Sequence, residues 1–445
     1  MSLSNFLQYK QTNKTSTKNK NVDDLFIIPK ISKNSSIIDS DLSLGIYWTT
    51  KDDKQIISVL NDIFLKSIKL KASDIHFEPA ERHFRIRFRV DWWFINSEII
   101  NIELKDSIIA RLKIMSSLRI DEHRLPQDWK ITYKLFWTKS IDMRVSIIPT
   151  IYWEKVVIRL LKKDEKLPEL KDLGIMPYNM IKIKKHLKDP YGMILAVWPT
   201  GSGKSTTLFS LLSQFNSEEK NISTLEDPVE YRITWVNHTQ INPAIDFNFA
   251  KGLRSLLRQD PDIIMVWEIR DEQTAKLAVE ASITGHIVFS TLHTNSATHT
   301  LQRLLNLWVD PLLISSSLRV IISQRLARKL CIHCKIPYNP DQKIQKYVIW
   351  KVWKYIKNKE NLNLYKAKID WCSKCNNKWY SGRLWLYEVL EMTDNMESLI
   401  LKNASRTQLE IQAIWDWMVT IKQDALLKVV LWETSLEEIL AVLGH

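Results

Sequence analysis

The sequence predicts an α/β chain. A largely parallel sheet runs from about residue 176 to 445, preceded by a smaller α+β domain at 54–163 and carrying a small metal-binding insertion. Three observations lead there. From Met176 onward, apolar runs of strand length alternate with helical spacing, the pattern of successive βα units. The run Met193-Ile194-Leu195-Ala196-Val197 leads through Pro199-Thr200-Gly201-Ser202-Gly203 into Lys204-Ser205-Thr206. A strand, a small-residue loop and a helix start follow one another in the order a phosphate-binding loop needs. The four cysteines form two CxxC pairs, Cys331/Cys334 and Cys372/Cys375, a spacing that favours Zn²⁺ over disulfides in a reducing compartment.

At 445 residues the chain is long enough for two or three cores. Its net charge of +13 favours an anionic partner (nucleotide, nucleic acid or membrane surface) without choosing among them. The sequence has no run of 18 apolar residues, so no transmembrane helix is expected. Residues 1–5 lack the apolar core of a secretory signal, so a cytosolic protein is expected.

Taken in order, residues 1–50 are rich in Lys, Asn, Ser and Thr and read as a disordered basic arm. Ile56, Val59, Leu60, Ile63 and Phe64 recur at helical spacing. The alternation from Phe84 to Val90, with Arg85, Arg87 and Arg89 between apolar residues, predicts a half-buried strand. Residues 142–147 and 155–160 predict two more, bearing Arg144 and Arg159. The pattern alone leaves a solvated basic face and a phosphate contact equally open for these arginines. The charged stretch 162–168 ends in Pro and predicts a linker, drawn here as 164–175.

Beyond the loop, in which Lys204 would reach the β- and γ-phosphates and Ser205 would ligate Mg²⁺, residues 222–231 predict a short strand ending at Glu226, Asp227 and Glu230. The strand at 263–266 runs into Glu268, where an acid can hold Mg²⁺ or orient an attacking water. His286 and His293 flank the strand at 287–291, and both are expected near the ligand edge of the sheet.

One residue breaks the loop motif: Trp198 stands where the pattern wants glycine, at the point where the backbone turns out of the strand. The anomaly is chain-wide. The chain has 9 Gly and 18 Trp, whereas about 7% Gly would mean roughly 31. The two counts together come close to that figure. They predict that most tryptophan letters are glycines, from a gene whose UGA codons mean glycine but were read as tryptophan. Trp93, Trp129, Trp137, Trp379, Trp417 and Trp432 all lie in polar or turn-like surroundings.

In this order the motifs resemble the secretion ATPases of type II secretion and type IV pilus assembly, over roughly 54–440. The resemblance rests on Ala72-Ser73-Asp74-Ile75-His76-Phe77-Glu78-Pro79, the phosphate loop, the acidic box 225–231 and Leu257-Arg258-Gln259-Asp260-Pro261-Asp262. Ile283-Thr284-Gly285-His286, Ser290-Thr291-Leu292-His293-Thr294-Asn295 and the paired CxxC complete it. That family has glycine where this chain has Trp129, Trp153, Trp198, Trp267, Trp308, Trp371, Trp379, Trp385, Trp417 and Trp432.

The resemblance implies a RecA-like ATPase core at 176–445, a PAS-like first domain, and a four-cysteine zinc subdomain at about 328–387 followed by C-terminal helices. It implies ATP, Mg²⁺ and Zn²⁺ as cofactors. Residues 199–206 would hold the nucleotide, Glu268 would activate water, and Glu226, Asp227 and Glu230 would support the metal. His286 and His293 would contact the γ-phosphate region, and Arg144 and Arg159 would act as arginine fingers. It further implies a homo-hexamer at the cytoplasmic face of the inner membrane, acting on a platform protein. Only about 50 residues precede the first domain, so the extra docking domain of many relatives is expected to be absent. Pilus retraction, a nucleic-acid translocase and a non-catalytic ring component are the competing readings. The zinc pairs argue against the first, and the lack of a recognition helix or RNA-binding signature against the second.

Overall fold

A computed structural model describes residues 53–90, 93–135, 139–161, 167–197, 204–356, 362–368, 371–375 and 377–444. The basic arm at 1–50, Trp92, Trp137 and the phosphate loop 198–203 lie outside them. The chain divides into two compact units, with the boundary between Lys162 and Lys163.

In the first unit the helix Asp53–Lys69 buries Ile56, Val59, Leu60, Ile63 and Phe64. Strands β1 (Asp74–Pro79), β2 (Phe84–Val90), β3 (Trp93–Ile100), β4 (Gln127–Leu135), β5 (Lys139–Thr150) and β6 (Trp153–Leu161) form an antiparallel sheet ordered β3-β2-β1-β6-β5-β4. Along β2 every apolar residue is buried and every arginine half-exposed, because successive side chains point to opposite faces. The helix Lys105–Met115 adds Ile108, Ile109 and Leu112 to the same core. On the open face Arg159 stands opposite Arg144, and Arg144 opposite Lys130. Like charges facing each other across strands cost stability unless an anion lies between them or counter-charges flank them. Asp74 accepts from Arg159 Nε at 2.9 Å and Asp142 meets Lys130 at 3.0 Å, while Arg144 is exposed.

The second unit is built on strands β7 (Gly192–Val197), β8 (Ile222–Glu226), β9 (Val236–Gln240), β10 (Ile263–Val266), β11 (Ile287–Leu292) and β12 (Leu318–Leu330). A small hairpin follows, β13 (Lys335–Tyr338) with β14 (Leu364–Ala367), and then β15 (Tyr380–Glu391). The main sheet has the order β15-β12-β7-β11-β10-β8-β9, and among the described residues β15 alone runs antiparallel. β7, β8 and β10 are buried along their whole length, as strands covered on both faces must be. The intervening helices start where the sequence supplies caps. Asn248, Asp271 and Ser296 each accept from the backbone N–H three residues on, ahead of Phe249–Leu256, Glu272–Ile283 and Ala297–Asn306. Each such cap contributes about 1 kcal/mol.

The stretch drawn as a linker is partly core. Leu170, Leu173 and Ile175 are buried in the second unit, because a 3₁₀ turn at Leu170–Leu173 aims them at the sheet. No helix among the described residues is long and apolar enough to cross a membrane.

The helix Ile421–Val430 carries a buried charge pair whose two members hydrogen-bond to the backbone of β15. Lys428 Nζ lies 2.7 Å from Asp424 Oδ2, and Asp424 also accepts from Tyr178 Oη at 2.8 Å and the Tyr387 N–H at 2.9 Å. Removing one partner leaves the other charge buried, which costs about 3–5 kcal/mol. Lys428→Met is therefore expected to lower the urea midpoint of the second unit sharply. Lys251→Ala, which breaks an exposed pair with Asp246, costs less than about 1 kcal/mol and should barely move the midpoint. Equal effects from the two variants would refute the assignment.

Candidate active site

Parallel strands bring their C-terminal ends to one edge, the place where sheets of this kind bind ligands. Here that edge carries Glu226, the last residue of β8, Glu268 just beyond β10 and His293 just beyond β11. Leu292 pairs with Val197 and Ser290 with Val266, so Glu268 and His293 stand close to the level at which β7 leads into the loop at Trp198. The loop itself and the Lys204 side chain are outside the described residues. The helix Lys204–Leu212 begins at that point, and its N-terminal N–H groups favour an anion.

Glu268 is almost fully buried and held from two sides. Arg270 Nε donates to its Oε2 at 2.8 Å, and His293 Nε2 lies 3.2 Å from its Oε1. Arg270 also reaches Asp227, Nη1 to Oδ2 at 3.4 Å, so one guanidinium joins the strand-end acid to the acidic box. Glu230 accepts a short hydrogen bond from the Ser205 hydroxyl. Glu226 is fully buried: Thr224 Oγ1 donates to its Oε1 at 2.6 Å, and His238 Nδ1 lies 2.6 Å from the same atom. His238 Nε2 accepts from the Ile233 N–H at 3.0 Å, so Nδ1 carries the proton and donates to Glu226. Glu226 Oε2 is buried with no hydrogen-bond partner among the described residues. A hydroxyl and several carboxylates gathered at a helix N-terminus form an all-oxygen donor set, the kind a hard divalent cation takes.

The structure brings together Ser205, Glu226, Asp227, Glu230, Glu268 and His293, and it corrects one expectation. His286 precedes β11 while His293 follows it, and six residues at about 3.3 Å each put roughly 20 Å between the two ends. His286 therefore stands on the opposite edge of the sheet, where its carbonyl accepts from the Gly192 N–H and its Nδ1 lies 2.9 Å from Ala281 O. Arg144 and Arg159 belong to the first unit. Sequence reasoning overlooked Arg270 and His238. The first sits two residues past Glu268 in a loop without periodicity, and the second on a half-exposed edge strand that pairs in parallel with β8.

The four cysteine sulfurs, all on buried residues, lie within 4.8 Å of one another. Cys334 Sγ and Cys375 Sγ are 3.8 Å apart, which matches the edge of a tetrahedron with Zn–S bonds of about 2.3 Å. The Trp379 N–H donates to Cys375 Sγ at 3.3 Å, an outer hydrogen bond of the sort that orients thiolate ligands. The cluster fits a tetrahedral soft-metal ion.

A family model described as "Type II/IV secretion system protein" matches residues 49–441. The chain is 42% identical over 388 residues to a Myxococcus xanthus protein named "Type IV pilus assembly ATPase PilB", covering 87% of this chain and 68% of that one. It is 41% identical over 421 residues to the "Type II secretion system ATPase E" of Vibrio cholerae, covering 94% and 80%. Among solved structures, the Legionella pneumophila ATPase DotB shares the fold, with a TM-score of 0.63 at 19% identity over 86% of this chain and 94% of that one. With a family model spanning both units and relatives above 40% identity across most of both chains, this chain belongs to the type II/IV secretion system protein family and is an ATPase of it.

Proposed function

We propose that the chain is the subunit of a hexameric, Mg²⁺-dependent ATP motor. It acts at the cytoplasmic face of the inner membrane, moving a membrane-embedded platform protein to build a type IV pilus or a type II secretion pseudopilus. The observation that carries this reading is Glu268, buried and gripped by Arg270 and His293 at the sheet edge where Ser205 meets Glu230. The names of the matched relatives point to the two systems.

In this reading the second unit is RecA-like and the first PAS-like. Residues 199–206 cradle the phosphates, with Lys204 on the β- and γ-phosphates. Ser205 would hold Mg²⁺, supported by Glu226, Asp227 and Glu230, and the ion would supply positive charge to the transferring phosphoryl group. Glu268 would orient or activate the attacking water, and His293, 3.2 Å from it, would contact the γ-phosphate region. Arg144 and Arg159, on the like-charged face of the first unit, deliver positive charge to the transition state. The cysteine cluster holds Zn²⁺ and favours assembly over retraction.

The test is Mg²⁺-dependent phosphate release together with sedimentation of the nucleotide-bound protein. A hexamer that turns over without DNA supports the motor, and loss of pili or of secretion on deletion supports its direction. Turnover that requires DNA would move the chain to the translocase class, and hyperpiliation on deletion would make it a retraction motor.

His238 supplies a finer test. His238→Leu removes the ring donor that orients the Glu226 carboxylate, so turnover is expected to fall. His238→Gln keeps a donor and should recover most of it. Unchanged turnover in His238→Leu would detach Glu226 from the reaction.

A further inference from the structure

We infer that the protein its cell makes carries glycine, not tryptophan, at the positions where tryptophan letters occupy left-handed backbone, and at Trp198 through the same decoding. The backbone argues this independently of composition. Of the fourteen described tryptophans, six have positive φ: Trp153 at 150°, Trp235 at 67°, Trp308 at 57°, Trp379 at 61°, Trp417 at 64° and Trp432 at 63°. Only a few per cent of non-glycine residues do so, and for a bulky side chain it is an outlier.

Three of the six share one motif. Trp308 follows the cap residue of Ala297–Asn306; its N–H donates to Leu305 O at 3.0 Å, and the next N–H, of Val309, to Leu304 O at 3.3 Å. Trp417 and Met418 repeat this after Arg406–Trp415, donating to Ile414 O at 3.2 Å and Ala413 O at 2.8 Å. Trp432 and Glu433 repeat it after Ile421–Val430, donating to Val429 O and Lys428 O, both at 3.0 Å. This paired termination needs a left-handed residue after the cap, a place glycine fills because it has no Cβ to collide with the carbonyl, and asparagine fills second best. Asn403 takes that place after Asp394–Leu401, with φ 50°. Three helices of one chain ending on tryptophan would repeat the same strained choice three times.

The side chains agree. The indoles of Trp308, Trp417 and Trp235 are 76%, 66% and 63% exposed. Half-buried Trp153 and Trp385 each keep the indole N–H buried and without a hydrogen-bond partner among the described residues, although buried indole N–H groups usually find one. An exposed indole could serve a partner surface, but a partner surface does not demand left-handed backbone. Trp267 shows the contrast: it is 3% exposed and its ring lies 5.9 Å from that of Phe209, so its packing shows no conflict.

UGA differs from the tryptophan codon UGG only in its third base, so a table reading UGA as tryptophan writes Trp at every glycine so encoded. The test is tandem mass spectrometry of peptides spanning 308, 417 and 432, from the chain purified out of the cells that encode it, beside the codons of its gene. Glycine masses with UGA codons are expected. Tryptophan masses at these positions, or UGG codons, would overturn the inference.

Discussion

Glu268→Gln is expected to lower kcat by about 10²–10⁴-fold, the range over which a positioned general base acts, while nucleotide binding persists. Glu268 is 8% exposed and held by Arg270 and His293; the amide fills the same space but gives up the negative charge and one accepting oxygen, and with them the ability to take a proton. The readout is steady-state phosphate release beside equilibrium binding of a fluorescent nucleotide. Because glycine is inferred at position 198, the parent for this assay carries Trp198→Gly. Arg270→Ala should fall between parent and Glu268→Gln: it leaves the base in place but frees it to swing, and it unlinks Asp227. Near-parental turnover in Glu268→Gln would remove Glu268 from the chemistry and leave the acidic box as the remaining source of a base.

Loss of the metal is the second large effect. If the cysteine cluster holds Zn²⁺, purified protein should carry about one zinc per chain, and Cys331→Ser with Cys372→Ser should release it. The cluster joins the end of β12 to the start of β15: the Cys331 N–H donates to Trp379 O at 3.1 Å and the Leu330 N–H to Glu433 O at 2.9 Å. Unpinning it frays the antiparallel pair onto which the C-terminal helices pack. Structural zinc contributes about 10–16 kcal/mol in isolated finger peptides. Even about 4 kcal/mol lost here would lower Tm by roughly 7 °C for a unit as long as Lys163–Gly444, at about 2.1 cal/mol/K of unfolding entropy per residue. Metal analysis and calorimetry before and after chelation decide it. A chain without zinc that melts where the parent melts would reduce the four thiols to a buried cysteine cluster.

What the sequence alone determined is what depends on near neighbours in the chain. Helical spacing at Ile56, Val59, Leu60, Ile63 and Phe64, alternation along Phe84–Val90, and βα periodicity after Met176 are local, because period and side-chain direction are set by backbone geometry within a few residues. The CxxC pairs and the acids after β8 and β10 were legible for the same reason. Composition and the broken loop motif raised the tryptophan anomaly, and the family resemblance named positions, but none of these gave a physical reason at each one. Left-handed φ at Trp308, Trp417 and Trp432 supplies that reason, since a dihedral angle belongs to the folded chain. Tertiary structure also decided which edge each histidine occupies. Strand direction in a parallel sheet is settled by pairing between distant segments, and that pairing sends His286 away from Glu268 and brings His293 to it. Arg270 and His238 became visible only there, because each is defined by the carboxylate it holds and not by its neighbours in sequence.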